Sequence, residues 1–167
     1  GWGIGSFHPL QSLPDPHVGA RALPGAWVGV TANGPLRERL RNLATDLGMH
    51  DFDLADGARP TYHSGAAAAS NFLVAALDLA QQLFEKAAVP FAAAEPLALA
   101  AVSNAFSLGP RPSLTGPIVR QDWGTVRMQR SAAAALGEGA LRQFDLLMEA
   151  TAIAASVVVP ADLKDSL

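Results

Sequence analysis

The sequence predicts an α/β segment followed by an all-helical domain, in a chain that is mainly helical. Residues 1–57 combine two short apolar runs with one amphipathic helix, the pattern of a mostly parallel sheet. Residues 58–167 are rich in alanine and keep helical periodicity almost to the end. Asp56, Gly57 and Pro60 lie between the two patterns. A domain boundary is therefore predicted near residue 57.

The α/β segment is predicted to be one strand, helix, strand unit. Residues 26–30 form a short apolar strand, and residues 31–35 carry turn residues with a proline suited to a first helical turn. Leucines then recur at helical spacing until Gly48 ends the helix, and residues 51–54 form a second strand. Such a unit cannot bury both faces of its sheet alone. More sheet is therefore expected.

The helical domain is predicted to contain four helices. The first runs over residues 60–88 as the spine of the domain, and the second begins at Pro90 or Pro96 and reaches about Leu108. A loop follows, and the last two helices cover residues 125–136 and 138–158.

Composition excludes several classes of function. The net charge of −3 and the pI near 5.7 offer no basic field for nucleic acid. The chain has no cysteine, and we expect no metal site. Polar and proline residues interrupt the most apolar stretch, residues 87–108, so no membrane span and a cytoplasmic location are expected. Half of the residues are apolar, which favours a homodimer through the helical domain.

Motifs for nucleotide and hydrolase chemistry are missing. Residues 1–5 read Gly-Trp-Gly-Ile-Gly, but a dinucleotide loop must follow a strand and open a helix, whereas Phe7 and the segment His8-Pro9-Leu10 come next. The sequence contains no GxxxxGK[ST], HExxH or GxSxG motif. The chain itself is therefore not expected to hold a dinucleotide tightly.

Polar residues within the predicted spine helix are the first candidates for a site. His63, Ser70 and Asn71 share one face at helical spacing. A histidine can transfer a proton near neutral pH and an asparagine can orient a carbonyl, so this cluster suits general acid catalysis. The alternative is structural: Ser70 and Asn71 would bond to a neighbouring helix, and His63 would be a surface residue.

A second group of candidates lies further along the chain. Asn104 falls between apolar residues of the second helix, where a buried amide needs partners for catalysis or for packing. Residues 114–122 place Thr115, Arg120 and Asp122 in one loop. The guanidinium of Arg120 suits a substrate carboxylate or a phosphate. The alternative is a structural Arg120–Asp122 pair.

These segments together resemble one bacterial family. It is the family of uncharacterised Rossmann-like proteins with a helical C-terminal domain of unknown function, related to 6-phosphogluconate dehydrogenase, pyrroline-5-carboxylate reductase and ketopantoate reductase. The resemblance spans residue 7 to about residue 155. It rests on His8-Pro9-Leu10-Gln11-Ser12, on Tyr62-His63 through Ser70-Asn71, on Asn104, and on residues 114–122 followed by Thr125-Val126.

The resemblance implies a two-domain NAD(P)-binding protein. Residues 1–57 would be the C-terminal part of a Rossmann-like domain without its glycine loop, and residues 58–167 a 6-phosphogluconate dehydrogenase C-terminal-like domain for substrate and dimerisation. The resemblance also implies that His8, Pro9 and Gln11 lie near NADP or NAD. Three departures bear on catalysis: Gln121 stands where a glycine is expected, Gln129 where a histidine is expected, and Lys86 is the only lysine on the spine helix.

The function expected from these observations is the substrate-binding and dimerisation part of an NAD(P)-dependent reductase of a small carbonyl or imine acid, with ketopantoate-like substrates. His63 would donate the proton, Asn71 and Asn104 would hold the carbonyl, and Arg120 would bind the carboxylate, with Ser70, Thr115 and Asp122 beside the substrate. The alternative is a non-catalytic, ligand-sensing or scaffolding dimer that keeps the fold.

Overall fold

The structure is a computed structural model and describes residues 3–13 and 15–163. These residues form two compact units that divide between Leu73 and Val74. The elements in chain order are β1 (Gly5–Leu10), α1 (Pro16–Ala22), β2 (Trp27–Ala32), α2 (Gly34–Asp46), β3 (His50–Asp53), α3 (Arg59–Ala69), α4 (Asn71–Lys86), α5 (Glu95–Leu108), α6 (Trp123–Ala134) and α7 (Glu138–Ala155). The fold is thus mainly helical with a small sheet, as the sequence predicts.

The first unit contains a three-stranded sheet in the order β1-β2-β3. β2 and β3 are parallel and α2 connects them, which confirms the predicted strand, helix, strand unit. β1 is antiparallel to β2 and supplies additional sheet. Val28 of β2 is buried together with Ala26, with Ala44 of α2 and with Met49, and Val30 of the same strand is buried as well. This apolar layer fixes α2 on the sheet.

The predicted spine helix is broken at Ser70, and the single helix over residues 60–88 is therefore wrong. The backbone of Ser70 leaves the helical region at φ −125° and ψ −70°, so α3 ends before it and α4 begins after it. The Ser70 hydroxyl donates to the carbonyl of Ala66 at 2.8 Å. Serine competes for helical carbonyls in this way. The shared face proposed for His63 and Asn71 does not continue across the break.

Helix α3 belongs to the first unit. Its Tyr62 ring packs against Phe52 of β3 and against His8 of β1, with ring centroids 5.8 Å and 5.3 Å away. The compact units consequently divide after Leu73, later in the chain than the boundary near residue 57 that the sequence indicates.

The second unit is built on the pair α6 and α7. Val126 of α6 and Met148 and Ala152 of α7 are buried together, with Val159 and Leu163 completing this core. An ion pair between Arg130 of α6 and Asp145 of α7 fastens the two helices at 2.7 Å and 2.9 Å. The unit therefore combines an apolar core with one buried charge pair.

Helix α4 is hydrogen-bonded to α7, and α7 ends before the residue that the sequence predicts. The side-chain amide of Gln143 donates to the carbonyl of Ala75 at 2.6 Å. Helix α7 stops at Ala155 rather than at residue 158, because Ser156 adopts a left-handed conformation with φ 57°. The amides of Ser156 and Val157 then bond back to the carbonyls of Ile153 and Ala152, which is a Schellman end.

Helix α5 leaves large apolar side chains uncovered. None of its described residues is buried, and Leu97 and Phe106 are 70% and 89% exposed. Apart from the short turn at Phe91–Ala94, α5 contacts the other described elements only weakly. By its length and its apolar composition alone, the segment Phe91–Leu108 could cross a membrane. Its helical part has 14 residues, about 21 Å, and is shorter than a bilayer core of about 30 Å.

Candidate functional site

A cavity of about 780 Å³ lies in the first unit, between the end of β1 with the residues that follow it and one side of α3. Four residues that the sequence analysis assigns to a site line this cavity: His8, Pro9, Gln11 and Ser70. They come from segments more than fifty residues apart. The resemblance identified these segments, and the fold brings them together.

Tyr62 is a cavity residue that the sequence analysis quoted only as part of a motif. Its hydroxyl lies 3.3 Å from Nδ1 of His8 and 3.5 Å from the carbonyl oxygen of His8. Both distances are long for bonds to a hydroxyl, which are usually about 2.7–2.8 Å. Burial raises the pKa of the Tyr62 phenol, so the group stays a hydrogen-bond donor at neutral pH.

His63, the expected proton donor, packs beside this cavity. Its ring meets the His8 ring edge to face, with the centroids 4.6 Å apart and the planes at 79°. His63 is exposed, and it is absent from the described lining of the cavity. The group of His8, Tyr62 and His63 thus places Tyr62, rather than His63, on the cavity wall.

A glycine in β2 makes room for this aromatic group. Gly29 stands between His8 of β1 and Phe52 of β3 in the strand register, and Tyr62 packs on both neighbours. A Cβ at position 29 would lie 3.2 Å from the Leu54 side chain and 3.3 Å from the Phe52 ring. Such contacts are tighter than usual packing, so a larger residue would displace the rings that support Tyr62.

The other predicted site residues near the end of α3 have simpler surroundings. Ser70 lines the cavity, but its hydroxyl donates to the carbonyl of Ala66. Asn71 is exposed at the start of α4, and its Oδ1 lies 3.4 Å from the Ser70 hydroxyl.

The remaining predicted residues lie in the second unit. Asn104 is exposed on α5, so the expectation of a buried amide is wrong, because α5 packs weakly on the rest of the unit. Thr115 lines a smaller cavity of about 270 Å³ together with Gln129. Arg120 is exposed. These residues are not gathered in one cavity.

Asp122 has a structural role as the N-cap of α6. Its carboxylate accepts the Thr125 hydroxyl at 2.7 Å and the Thr125 amide at 3.1 Å. These bonds, the hydroxyl first, lower the pKa of Asp122. No ion pair joins Asp122 to Arg120 among the residues described, so the structural alternative of an Arg120–Asp122 pair is not found either.

A third cavity, of about 950 Å³, lies at the carboxyl ends of the parallel strands β2 and β3. It is lined by two arginines, and each is paired with an aspartate: Arg37 with Asp53 and Arg59 with Asp56. This cavity was not predicted, because only the fold brings Arg37 of α2 to Asp53 of β3, whereas Arg59 and Asp56 are three residues apart in the sequence.

The described residues do not supply a pyrophosphate cradle. Gly5 is the first residue of β1, and a Cβ there would lie 2.9 Å from the Cβ of Ala32. It is a close-packed sheet position, not a turn that opens a helix. The described residues therefore do not fit the pyrophosphate of NADP by themselves. Across residues 3–13 and 15–163, no group of three His, Cys, Asp or Glu side chains could hold a metal ion.

Comparison with solved structures gives the fold. The chain matches a "putative NADP oxidoreductase" from Bacteroides fragilis with a TM-score of 0.75 and 20% identity, over 89% of this chain and 57% of that one. It matches a protein from Thermotoga maritima, whose name states no activity, with a TM-score of 0.72 and 21% identity, over 91% of this chain and 61% of that one. The chain thus shares the fold of these two structures and spans about three fifths of their length.

Comparison with protein sequences gives the family. No curated protein matches the chain. The domain of unknown function DUF2520 matches residues 26–151, which run from β2 into α7 and include α3. This is also the arrangement expected from the resemblance, a Rossmann-like part followed by a helical domain. The chain belongs to the DUF2520 family.

Proposed function

We propose that this chain is the substrate-binding and dimer-forming part of an NADP-dependent oxidoreductase that reduces a small carbonyl or imine compound. The observation that carries the proposal is the cavity beside α3, which is lined by His8, Pro9, Gln11 and Ser70 together with Tyr62, whose hydroxyl lies 3.3 Å from Nδ1 of His8. Hydroxyl donors in a largely apolar cavity suit the binding of a carbonyl group. A reduced nicotinamide would supply hydride when bound.

Tyr62, His8 and His63 have distinct roles in this proposal. Tyr62 donates a hydrogen bond to the substrate oxygen, and His8, at 3.3 Å, holds the Tyr62 hydroxyl in place. His63 packs on the His8 ring and orients it. The more specific hypothesis of a ketopantoate-like acid needs a cation beside the cavity, a role that the sequence analysis gives to Arg120.

The test is NADPH binding, measured by calorimetry on this chain and on the full product of its gene. We expect the full product to bind NADPH and to oxidise it in the presence of a carbonyl compound, with a KM in the usual range of about 1 μM to 1 mM. We expect no tight binding to this chain, because its described residues lack a glycine cradle.

Two outcomes would contradict parts of this proposal. A full gene product that does not bind NADPH would remove the oxidoreductase assignment. Binding without turnover of any carbonyl or imine would favour the alternative of a ligand-sensing or scaffolding dimer.

We also propose that the helical unit forms a homodimer in which a second copy covers α5. The support is the exposed apolar surface that includes Leu97 and Phe106, and a helix too short to span a bilayer. Phe106→Glu should give a monomer in sedimentation velocity at micromolar concentration. Ser107→Glu places the same charge on an exposed polar neighbour and should leave the dimer intact. A monomeric unaltered chain would contradict the dimer.

A further inference from the structure

The cavity beside α3 contains no formal charge in its described lining. The polar groups there are an imidazole, an amide and hydroxyls, and no lysine, arginine, aspartate or glutamate lines it. Arg59, at the start of α3, lines the other large cavity of this unit and pairs with Asp56. Arg37 and Arg41 are likewise occupied by aspartates. These three arginines thus form their ion pairs outside the lining of the cavity beside α3.

Several polar groups of the lining are already engaged within the protein. The amide of Gln11 donates to the carbonyl of Ala22 at 3.1 Å, and its oxygen accepts the amide of Ser12 at 2.8 Å. The Ser70 hydroxyl donates to Ala66. The Tyr62 hydroxyl, by contrast, has only long contacts, to His8. A ligand can compete for the Tyr62 hydroxyl at low cost, since long hydrogen bonds are weak.

The rest of the lining is apolar. Leu10, Leu13, Ala66 and Ala69 present hydrocarbon to the cavity. A carboxylate buried against such a surface loses its hydration and needs a paired cation in return. An uncharged carbonyl needs only one donor to satisfy its oxygen.

We infer that this cavity binds an uncharged carbonyl compound, whose oxygen accepts a hydrogen bond from Tyr62 and whose hydrocarbon part contacts Leu13, Ala66 and Ala69. The inference rests on the proposed function for the carbonyl group. It replaces a keto acid by a neutral ketone or aldehyde as the ligand of this cavity.

Tyr62 is the only tyrosine of the chain, so its ring signals in carbon–proton NMR spectra report on this cavity alone. Two probes differ only in charge: methyl 4-oxocyclohexanecarboxylate and 4-oxocyclohexanecarboxylate. We expect the neutral ester to shift the Tyr62 signals saturably at pH 8, and the carboxylate to bind at least about tenfold more weakly. Preference for the carboxylate, or no shift with either probe, would overturn the inference.

Two lysine variants test where the ketone binds. Ala69 and its neighbour Ala68 are both exposed on the same turn of α3, but only Ala69 is in the lining of the cavity. Ala69→Lys should reverse the preference toward the carboxylate, and Ala68→Lys should leave the ratio of the two affinities unchanged. An unchanged ratio in Ala69→Lys would place the ketone outside the cavity and would overturn the inference.

The contribution of the hydroxyl is tested separately. Tyr62→Phe, followed by saturation transfer to the ester, should weaken its binding about tenfold, the usual loss for one hydrogen bond. Unchanged ester affinity in this variant would overturn the role of Tyr62. None of these measurements requires NADPH, so failure of the cofactor assignment and failure of this inference give different results.

Discussion

Removing the carboxylate of Asp145 should destabilise the helical unit more than removing the exposed carboxylate of Asp162. The side chain is 1% exposed and accepts two hydrogen bonds from Arg130, which is itself 21% exposed. Asp145→Ala removes both of these charge-assisted hydrogen bonds. Breaking a buried pair in this way costs about 3–5 kcal/mol, and we take the lower end, about 3 kcal/mol, because water reaches part of Arg130.

Urea unfolding followed by the circular dichroism of helices measures this loss. With a slope of about 2 kcal/mol per molar urea, 3 kcal/mol lowers the midpoint of the helical unit by about 1.5 M. The pair Arg127–Asp162 is a matched control. Its bonds have similar lengths, 2.8 Å and 3.1 Å, but its side chains are 48% and 58% exposed. Asp162→Ala should therefore leave the midpoint nearly unchanged.

A second variant separates charge from packing. Replacing both partners, as Arg130→Met with Asp145→Leu, should recover most of the lost stability, because apolar side chains need no buried partner. Equal midpoints for Asp145→Ala and Asp162→Ala would refute the reasoning, and so would a double variant less stable than Asp145→Ala.

Three further predictions follow from local geometry. Gly29→Val should crowd the Phe52 ring and abolish the NMR shift changes that a ketone causes at Tyr62. Unchanged shift changes would contradict the idea that Gly29 makes room for the rings that support Tyr62. The Asp122 carboxylate should stabilise α6 at any pH above the unfolded pKa of an aspartate, and this stabilisation is lost as the pH falls through the lowered folded pKa. Asp122→Asn should abolish this pH-dependent part of the stability. Identical acid unfolding curves for the two proteins would argue against it. Ser156→Gly should stabilise the chain by about 0.5–1 kcal/mol, seen as a higher melting temperature, because glycine adopts the left-handed conformation without strain.

Local patterns were sufficient where an element is stabilised by its own periodicity. The apolar run of β2 and the leucine spacing of α2 predict elements that the structure contains with shifts of a few residues at their ends. β1 was not predicted, because its residues include a glycine and a proline and only its pairing with β2 makes it a strand. The break at Ser70 leaves no trace in helical periodicity, and its hydroxyl bond to Ala66 is no signal for it, since Ser131 and Thr151 make the same bond inside unbroken helices.

The site could be predicted only in part, for a similar reason. His8, Gln11 and Ser70 were found through the resemblance, and the fold places them in one cavity. Tyr62 could have been found as well, as the single tyrosine beside a candidate histidine. Asp145 could not, since a charged residue within an apolar helix gives no indication that Arg130 faces it from the preceding helix.

The uncovered surface of α5 links the stability of this protein to its surroundings. Whatever binds that helix in the native state and not in the unfolded state raises the free energy of unfolding by mass action. Each tenfold rise in the free concentration of a saturating occupant adds about 1.4 kcal/mol. The melting temperature then becomes a measure of how much occupant is present. With a second copy as the occupant, cells that make little of the chain would retain a smaller fraction of it, because the unoccupied population unfolds and is degraded more often.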